Sequence, residues 1–429
     1  MELFCYFVFA LLTVFGLYFQ FRNDYYKLRH PVQPKQWLIV DNYQFLFLFF
    51  LATSIISCGG ELMANRMLTT ILFLVIGLII YRKPAIWTVT TILYTGYLLW
   101  LVVAWIYSPV KDYGFRVFLK YLYPFLIMLC VSKINTSIAF YQKAIRIILW
   151  VSIYALCNFL IFIHIPVLSS ITNSVTFWGP AILDFFPIPI TICLIYYSYS
   201  KQVKYLILAA LLVLPSILFI NRTGLLAASV TIVIFAVIRY RLKSLPYVAL
   251  GVAILVGTTL YNKNFRDKMF VKQMSTEEVI ERGEELTTDD INSNGRYAMW
   301  EWSLAHFFLD KEATGSGLGV LQHAFYTVQH PFGRLRVVHN DYIQILCDTG
   351  LVGLILYAAM LLSLIIHSLI LYFRTEIPIV RLAASIAGIG LAGMLSTLYT
   401  DNVVNYSMMT LGYPFILYGM MLGLKKQYE

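Results

Sequence analysis

The chain has 429 residues, of which 60% are hydrophobic and only 13% are charged. A soluble globular protein carries about 25% charged residues, so this composition argues against a soluble enzyme and indicates a membrane protein. The net charge of +10 comes from basic residues scattered between apolar runs. That pattern is typical of membrane topology, and it predicts no nucleic-acid partner.

Apolar runs of membrane-spanning length recur along the whole chain. A helix needs about 20 apolar residues to cross a bilayer, and about 13 runs (12–14) meet or approach that length. They lie near residues 2–20, 44–60, 67–81, 85–107, 115–132, 146–166, 182–199, 204–220, 223–238, 246–261, 350–372, 380–399 and 407–424. The predicted fold is an all-α polytopic membrane protein. The first run lacks a basic leader and a cleavage site, so we expect a retained span instead of a signal peptide.

The positions of lysine and arginine predict the orientation. If the N-terminus faces outward, most basic residues of the short connections face the cytoplasm, as the positive-inside rule requires. The short outer connections then hold Arg66, Lys111, Arg116, Lys120 and Arg222. The same orientation places a long polar segment, from Lys263 to Asp341, on the outer side.

This polar segment divides the chain into three predicted parts. They are an N-terminal transmembrane bundle over 1–262, a large outer loop over 263–345, and C-terminal transmembrane helices over 346–429. Loops of such length are usually functional. Inside the loop we predict an exposed, charged helix over 275–286. A second loop helix, with Trp300 on its apolar face, is expected either to lie on the membrane surface or to pack on the bundle.

No familiar cofactor motif occurs in the chain. The sequence has no Gly-rich phosphate loop, no zinc-protease helix motif, no serine-hydrolase elbow and no paired-cysteine metal site. We therefore expect neither a cofactor nor a metal, and an enzyme site on the outer side.

An arginine between two spans is the first candidate functional residue. The stretch from Leu206 to Val237 is almost wholly apolar apart from Asn221 and Arg222. A charge at such a position is costly and indicates a function. The alternative is an interfacial arginine whose side chain reaches lipid phosphates.

The second candidate is Arg296, which follows an Asn-Ser-Asn-Gly turn at the predicted start of a helix. Backbone amides at a helix start and a guanidinium group can together hold an anion. The alternative is a solvent-exposed loop arginine.

The third candidate is His339, which precedes Asn340 and Asp341 where the polar segment returns to the membrane. A neutral imidazole can accept a proton at physiological pH, so His339 is a candidate base. The alternative is an ordinary interfacial histidine.

Three weaker candidates remain. Arg116 and Lys120, one helical turn apart at the head of a span, are candidates for a phosphate-binding rim or for lipid contacts. Asp184 is a candidate for the same outer cavity. The neighbouring Pro187 and Pro189 predict a broken helix there.

Four motifs, taken in their order along the chain, resemble those of the O-antigen ligase and polymerase superfamily of bacterial envelope enzymes. They are Arg-Thr-Gly at Arg222, "NGRYAMW" at Arg296, "GSGLGVLQHAF" from Gly315, and "HNDYIQILCDTGLVGLI" from His339. The resemblance covers mainly residues 205–372. It implies a multi-pass protein of the bacterial inner membrane that transfers glycans on the periplasmic side.

The resemblance also implies the substrates and the residue roles. The donor is a glycan on undecaprenyl diphosphate, and the acceptor is a sugar hydroxyl on another repeat unit or on lipid A–core. His339 would accept the hydroxyl proton, and Arg222 and Arg296 would neutralise the diphosphate without a metal. Asn340 or Asp341 would orient the His339 ring. The implied partners are the lipid bilayer and a chain-length regulator protein.

The pattern "SNGR…W" favours a polymerase. Two alternative functions are a ligase and a flippase. A ligase differs in its acceptor, lipid A–core. A lipid-linked oligosaccharide flippase is expected to carry charges within many spans and to lack a dominant outer loop. This chain shows few mid-span charges and a long outer loop.

Overall fold

The computed structural model of the chain describes residues 44, 47–48, 51, 60–80, 86–134, 136–161, 164–165, 180–270, 281, 293, 295–333 and 335–429. The first predicted span, most of the second and nearly all of the predicted helix over 275–286 lie outside these residues.

Helices dominate the described residues. In chain order the α-helices are α1 (Gly60–Ile80), α2 (Val89–Tyr107), α3 (Lys111–Lys133), α4 (Ile138–Leu160), α5 (Pro187–Ser200), α6 (Val203–Leu218), α7 (Arg222–Tyr240), α8 (Leu245–Tyr261), α9 (Lys263–Met269), α10 (Arg296–Phe307), α11 (Val320–Tyr326), α12 (Asp341–Arg374), α13 (Pro378–Thr400) and α14 (Gly412–Tyr428). Short 3-10 helices cover Pro180–Phe185, Arg241–Ser244, Leu309–Lys311 and Val403–Tyr406. Among the described residues, six helices are long and apolar enough to cross a membrane: α2, α3, α4, α7 with its 3-10 extension, α12 and α13. The all-α polytopic fold is confirmed, while the number of spans and the three-part division stay predictions.

Helix α13 lies at the centre of the bundle. It packs against α5, α7, α12 and α14. Small residues allow this crowding, because a Cβ atom on Gly393 would lie 2.1 Å from Thr231 Oγ1 of α7. A Cβ atom on Gly388 would lie 3.0 Å from Ser368 Cβ of α12. Small residues at helix interfaces are the usual way for membrane helices to approach closely.

The break predicted around Pro187 lies at a helix start. The 3-10 helix Pro180–Phe185 ends there, and Pro187 occupies the first turn of α5, where its missing N–H costs nothing. The 3-10 helix packs against α7, α13 and the 3-10 helix Val403–Tyr406. It therefore sits at the end of the bundle where α7 begins and α13 ends.

Helix α12 is bent at Gly350, which has a φ of 68° and a ψ of −170°. Essentially only glycine adopts this conformation. The sequence places the start of this span at residue 350, but the helix begins nine residues earlier, at Asp341. The polar half of α12, residues 341–349, lies before the bend.

The loop before α12 supplies backbone hydrogen bonds that replace those lost from α12 at the bend. The carbonyl of Cys347 accepts the N–H of Ser316 at 2.8 Å, and the carbonyl of Asp348 accepts the N–H of Gly317 at 3.0 Å. Beyond the bend, the N–H groups of residues 351–352 donate to loop carbonyls at 2.8 and 3.3 Å. We call this arrangement, residues 312–321 with 347–352, the loop–helix junction.

The carboxylate of Asp348 completes the junction. It accepts the N–H groups of Gly319 and Leu321, each at 3.0 Å, and its side chain is buried. A buried carboxylate is stabilised by such backbone donors. The motifs "GSGLG" and "CDTG" are therefore two halves of one structural unit.

Replacing Gly350 with alanine should destabilise the protein. A Cβ atom there would lie 2.3 Å from the carbonyl oxygen of Ala313, in a backbone conformation that costs a side chain on the order of 1–3 kcal/mol. We expect a lower Tm for the purified protein in detergent. Gly96→Ala in α2 is the matched control, because nothing lies within 4 Å of its Cβ position and the change should be neutral or stabilising. Equal Tm values for the two variants would contradict the role of the bend.

Candidate active site

His339 is held at the start of α12 by the segment that follows α13. Its ring Nδ1 lies 2.9 Å from Oδ1 of Asp401, and its backbone N–H donates to Oδ1 of Asn402 at 2.6 Å. The backbone of His339 is left-handed, with a φ of 52°. Such conformations in non-glycine residues persist where the surroundings impose them, often at functional sites. The His339 side chain is 28% exposed, so the ring is accessible from outside the protein.

Asp401 is an anion that fixes the histidine ring. Its burial disfavours the charged form and is the largest single influence on it. The hydrogen bond and charge of His339, the N–H of Asn402 and the charge of Arg296 act in the opposite direction, and the pKa of Asp401 falls below its ordinary value. With Nδ1–H donating to this carboxylate, Nε2 is the ring nitrogen that can accept a proton.

The predicted orienting residues, Asn340 and Asp341, do not contact the His339 ring. Asn340 caps α12 by accepting the N–H of Ile343 at 3.0 Å. Asp341 is fully buried and accepts the amide of Asn402 at 3.1 Å and a backbone N–H at 3.0 Å. The prediction is corrected here: the ring partner is Asp401, because Asn340 and Asp341 are engaged in building the helix start and in holding Asn402.

Arg222 and Arg296 line one cavity of about 430 Å³, and Asp401 lines it too. Each arginine is the first residue of its helix, α7 or α10. Arg296 also donates to the carbonyl of Thr400 at the end of α13. The cavity thus brings together two guanidinium groups, two helix N-termini and the carboxylate that holds His339. Helix N-termini and guanidinium groups both favour anions.

The local sequence explains both helix starts. Asn221 caps α7 by accepting the N–H of Gly224 at 2.7 Å. Gly295 precedes α10 with a φ of 75°, in the left-handed region that favours glycine. The predicted helix start at Arg296 is confirmed.

One wall of the cavity is aromatic. The rings of Tyr297 and Trp300 lie 5.3 Å apart, and those of Trp300 and Tyr399 also lie 5.3 Å apart. Trp300 belongs to a small second core with Met299 and Val338. Its Nε1–H donates to the carbonyl of Val338 at 2.9 Å. Of the two alternatives for the apolar face of α10, the structure thus shows packing against the protein.

Arg116 and Lys120 do not line this cavity. The Arg116 guanidinium group lies 5.5 Å from the ring centre of Tyr113 on the exposed side of α3. Lys120 donates to Oδ1 of Asn405 at 2.6 Å and to Oε1 of Gln322 at 3.3 Å. Lys120 therefore ties α3 to α11 and to the segment after α13. A direct role of either residue in phosphate binding stays a prediction.

Residues 206–358 match the family model described as O-Antigen ligase. The superfamily resemblance is confirmed. No curated protein matches the chain at a significant level. The matched segment runs from α6 to the middle of α12 and contains Arg222, Arg296 and His339.

Asp401 and Asn402 lie outside the matched segment, and the sequence did not identify them as candidates. They stand in "YTDNVVN", a polar interruption between the last two predicted spans. Counting spans places this interruption on the same side of the membrane as His339. This shared side of the membrane, together with an acid followed by an amide at residues 401–402, was the signal that could have identified them.

Proposed function

We propose that this protein is a membrane glycosyltransferase that polymerises lipid-linked glycan repeat units at the periplasmic face of the bacterial inner membrane. The donor is a glycan on undecaprenyl diphosphate, and the acceptor is a hydroxyl of another repeat unit. The observation that carries the proposal is the shared cavity, where Arg222 and Arg296 meet the carboxylate that holds His339.

The proposed reaction is a single displacement at the anomeric carbon. Nε2 of His339 takes the proton of the acceptor hydroxyl while its oxygen bonds to the anomeric carbon. The bond from that carbon to the diphosphate oxygen breaks, and the lipid diphosphate leaves with the electron pair. Attack opposite the leaving group inverts the anomeric centre.

The charge of the leaving group explains why two arginines line the cavity. A departing diphosphate gains negative charge, which fixed guanidinium groups in a partly buried cavity stabilise more in the transition state than in the bound donor. They supply positive charge without requiring a metal. The aromatic wall of Tyr297, Trp300 and Tyr399 offers flat apolar surface to a sugar ring.

Transfer to lipid A–core is the second candidate function. The description of the matching family, O-Antigen ligase, favours it. The proton and diphosphate chemistry is the same, and the acceptor alone differs.

Analysis of glycans in a deletion strain tests the proposal and separates the two functions. Loss of a polymerase should leave single repeat units transferred to the final acceptor, and restoring the gene should restore long chains. Loss of a ligase should leave long chains on the undecaprenyl carrier. Long chains on their normal acceptor in the deletion strain would overturn both functions.

A further inference from the structure

A carboxyl group without an ordinary partner is buried behind the His339–Asp401 pair. Asp184, in the 3-10 helix Pro180–Phe185, is 1% exposed. Neither of its carboxyl oxygens accepts a hydrogen bond from any N–H or O–H group in the described part of the chain. An ionised carboxylate buried in this way is strongly unfavourable.

Tight packing fixes the position of Asp184. A Cβ atom on Gly224, in the first turn of α7, would lie 3.3 Å from Cβ of Leu183. On the other side, the rings of Phe185 and Tyr413 lie 4.5 Å apart. The 3-10 helix of Asp184 also contacts α7, which carries Arg222, and α13, which precedes Asp401.

The 3-10 helix that carries Asp184 contacts both α13 and the 3-10 helix Val403–Tyr406, which flank Asp401 in the chain. The side chains of Asp184 and Asp401 interact there. Two carboxyl groups form a hydrogen bond only if one of them carries a proton. Oδ1 of Asp401 already accepts from Nδ1 of His339 at 2.9 Å and from the N–H of Asn402 at 2.7 Å. These donors stabilise a negative charge on Asp401, and Asp184 has no such donors within the described residues. The shared proton therefore belongs on Asp184.

We infer that Asp184 is a positioning residue that remains uncharged and donates its carboxyl proton to the carboxylate of Asp401. This inference rests on the proposed function. The donated hydrogen bond fixes the plane of the Asp401 carboxylate, and so the direction in which the His339 ring points. It also withdraws charge from Asp401, so the imidazolium that forms during transfer is held less tightly and gives up its proton more readily afterwards.

Besides Asp401, three other groups influence Asp184 and belong to every interpretation of its pH behaviour. Asp401 and Asp341 disfavour a charge on Asp184, and Arg296 favours it. Tyr406, in the 3-10 helix Val403–Tyr406, also interacts with Asp184. None of these groups changes in the variants proposed below.

Two substitutions of Asp184 distinguish whether it acts as an uncharged hydrogen-bond donor or as a charged group. Asp184→Asn keeps a neutral donor of the same shape, and we expect activity within about threefold of the native protein. Asp184→Ala removes the donor, and we expect kcat to fall about tenfold with little change in KM for the lipid-linked donor. The assay uses the full-length protein in lipid nanodiscs with lipid-linked repeat units extracted from a deletion strain.

The pH–rate profile distinguishes this role from a purely structural one, because a purely structural role predicts no shift of the acid limb in a defined direction. Without the donated hydrogen bond, Asp401 holds more charge and stabilises protonated His339. The acid limb of kcat/KM for Asp184→Ala should therefore move to higher pH by about half to one unit. Removal of an ionised Asp184 would move the limb to lower pH. A shift to lower pH, no shift, or an Asp184→Asn variant as impaired as Asp184→Ala would overturn the inference.

Infrared difference spectroscopy tests the proton on Asp184 without any substrate. At neutral pH, Asp184→Asn should lose a protonated-carboxyl band present in the native protein. Asp310→Asn, which changes a solvent-exposed acid of the outer loop, should leave that band unchanged. Retention of the band in Asp184→Asn would overturn the inference while leaving the proposed function intact. A native protein that elongates no lipid-linked glycan, yet shows the band, would instead contradict the proposed function.

Discussion

Replacing His339 with alanine should reduce glycan transfer by about 100- to 10,000-fold, the range that a positioned general base usually contributes. Nε2 is the ring nitrogen left for the acceptor hydroxyl, because Nδ1 lies 2.9 Å from Oδ1 of Asp401. The measurement is chain length on a gel in a complemented deletion strain, with protein abundance in the membrane measured in parallel. His306→Ala is the matched control, because His306 is an exposed histidine on α10 that does not line the cavity.

Asp401→Asn should produce a defect of nearly the same size. An asparagine at this position keeps the shape of the side chain but cannot stabilise the imidazolium, and it can favour the wrong ring tautomer. In serine proteases the corresponding change costs about 10,000-fold in kcat. Normal chain length in either His339→Ala or Asp401→Asn, at normal abundance, would show that the pair is not the catalytic base.

Arg222→Ala should reduce transfer by about 100- to 1,000-fold, as the loss of one group that stabilises developing charge usually does. Arg222→Lys should be nearly as impaired. A lysine keeps the charge, but it cannot make two parallel hydrogen bonds to a phosphate group. The defect should appear mainly in kcat with the purified protein, because the interaction strengthens as the diphosphate leaves.

The control for Arg222 lies on the same helix. Arg239→Lys, at the opposite end of α7, changes an exposed guanidinium group that lies over the Tyr199 ring at 5.4 Å and is remote from the cavity. It should leave transfer unchanged. Full activity in Arg222→Lys would contradict binding through the forked guanidinium group and would indicate that positive charge alone suffices.

Local features of the site could be predicted from the sequence because they are encoded locally. The Asn-Ser-Asn-Gly turn marks the helix start at Arg296, and composition alone identifies a polytopic membrane protein. A single glycine in an apolar run is common in membrane helices, so the bend at Gly350 carried no distinct signal. Burial could not be inferred for Asp184, whose neighbours in space come from α7 and α13.

The pairing of His339 with Asp401 could not be predicted from the sequence for another reason. The two residues are 62 positions apart, and two helices, α12 and α13, separate them. Sequence periodicity reports which face of a helix is apolar, but not which neighbours that face meets. The residues adjacent to His339 in the chain were the obvious candidates, yet a helix start uses its nearest polar side chains for capping.

The loop–helix junction has a consequence for how the protein is assembled in the membrane. Until residues 312–317 dock at the bend of α12, several backbone groups next to Gly350 lack partners, and each costs several kcal/mol if it faces hydrocarbon. Inserted helix α12 should therefore remain straight, or shallow in the bilayer, until residues 312–317 have folded back onto it. Bending of α12 and docking of residues 312–317 should then occur together, as one coupled step of folding.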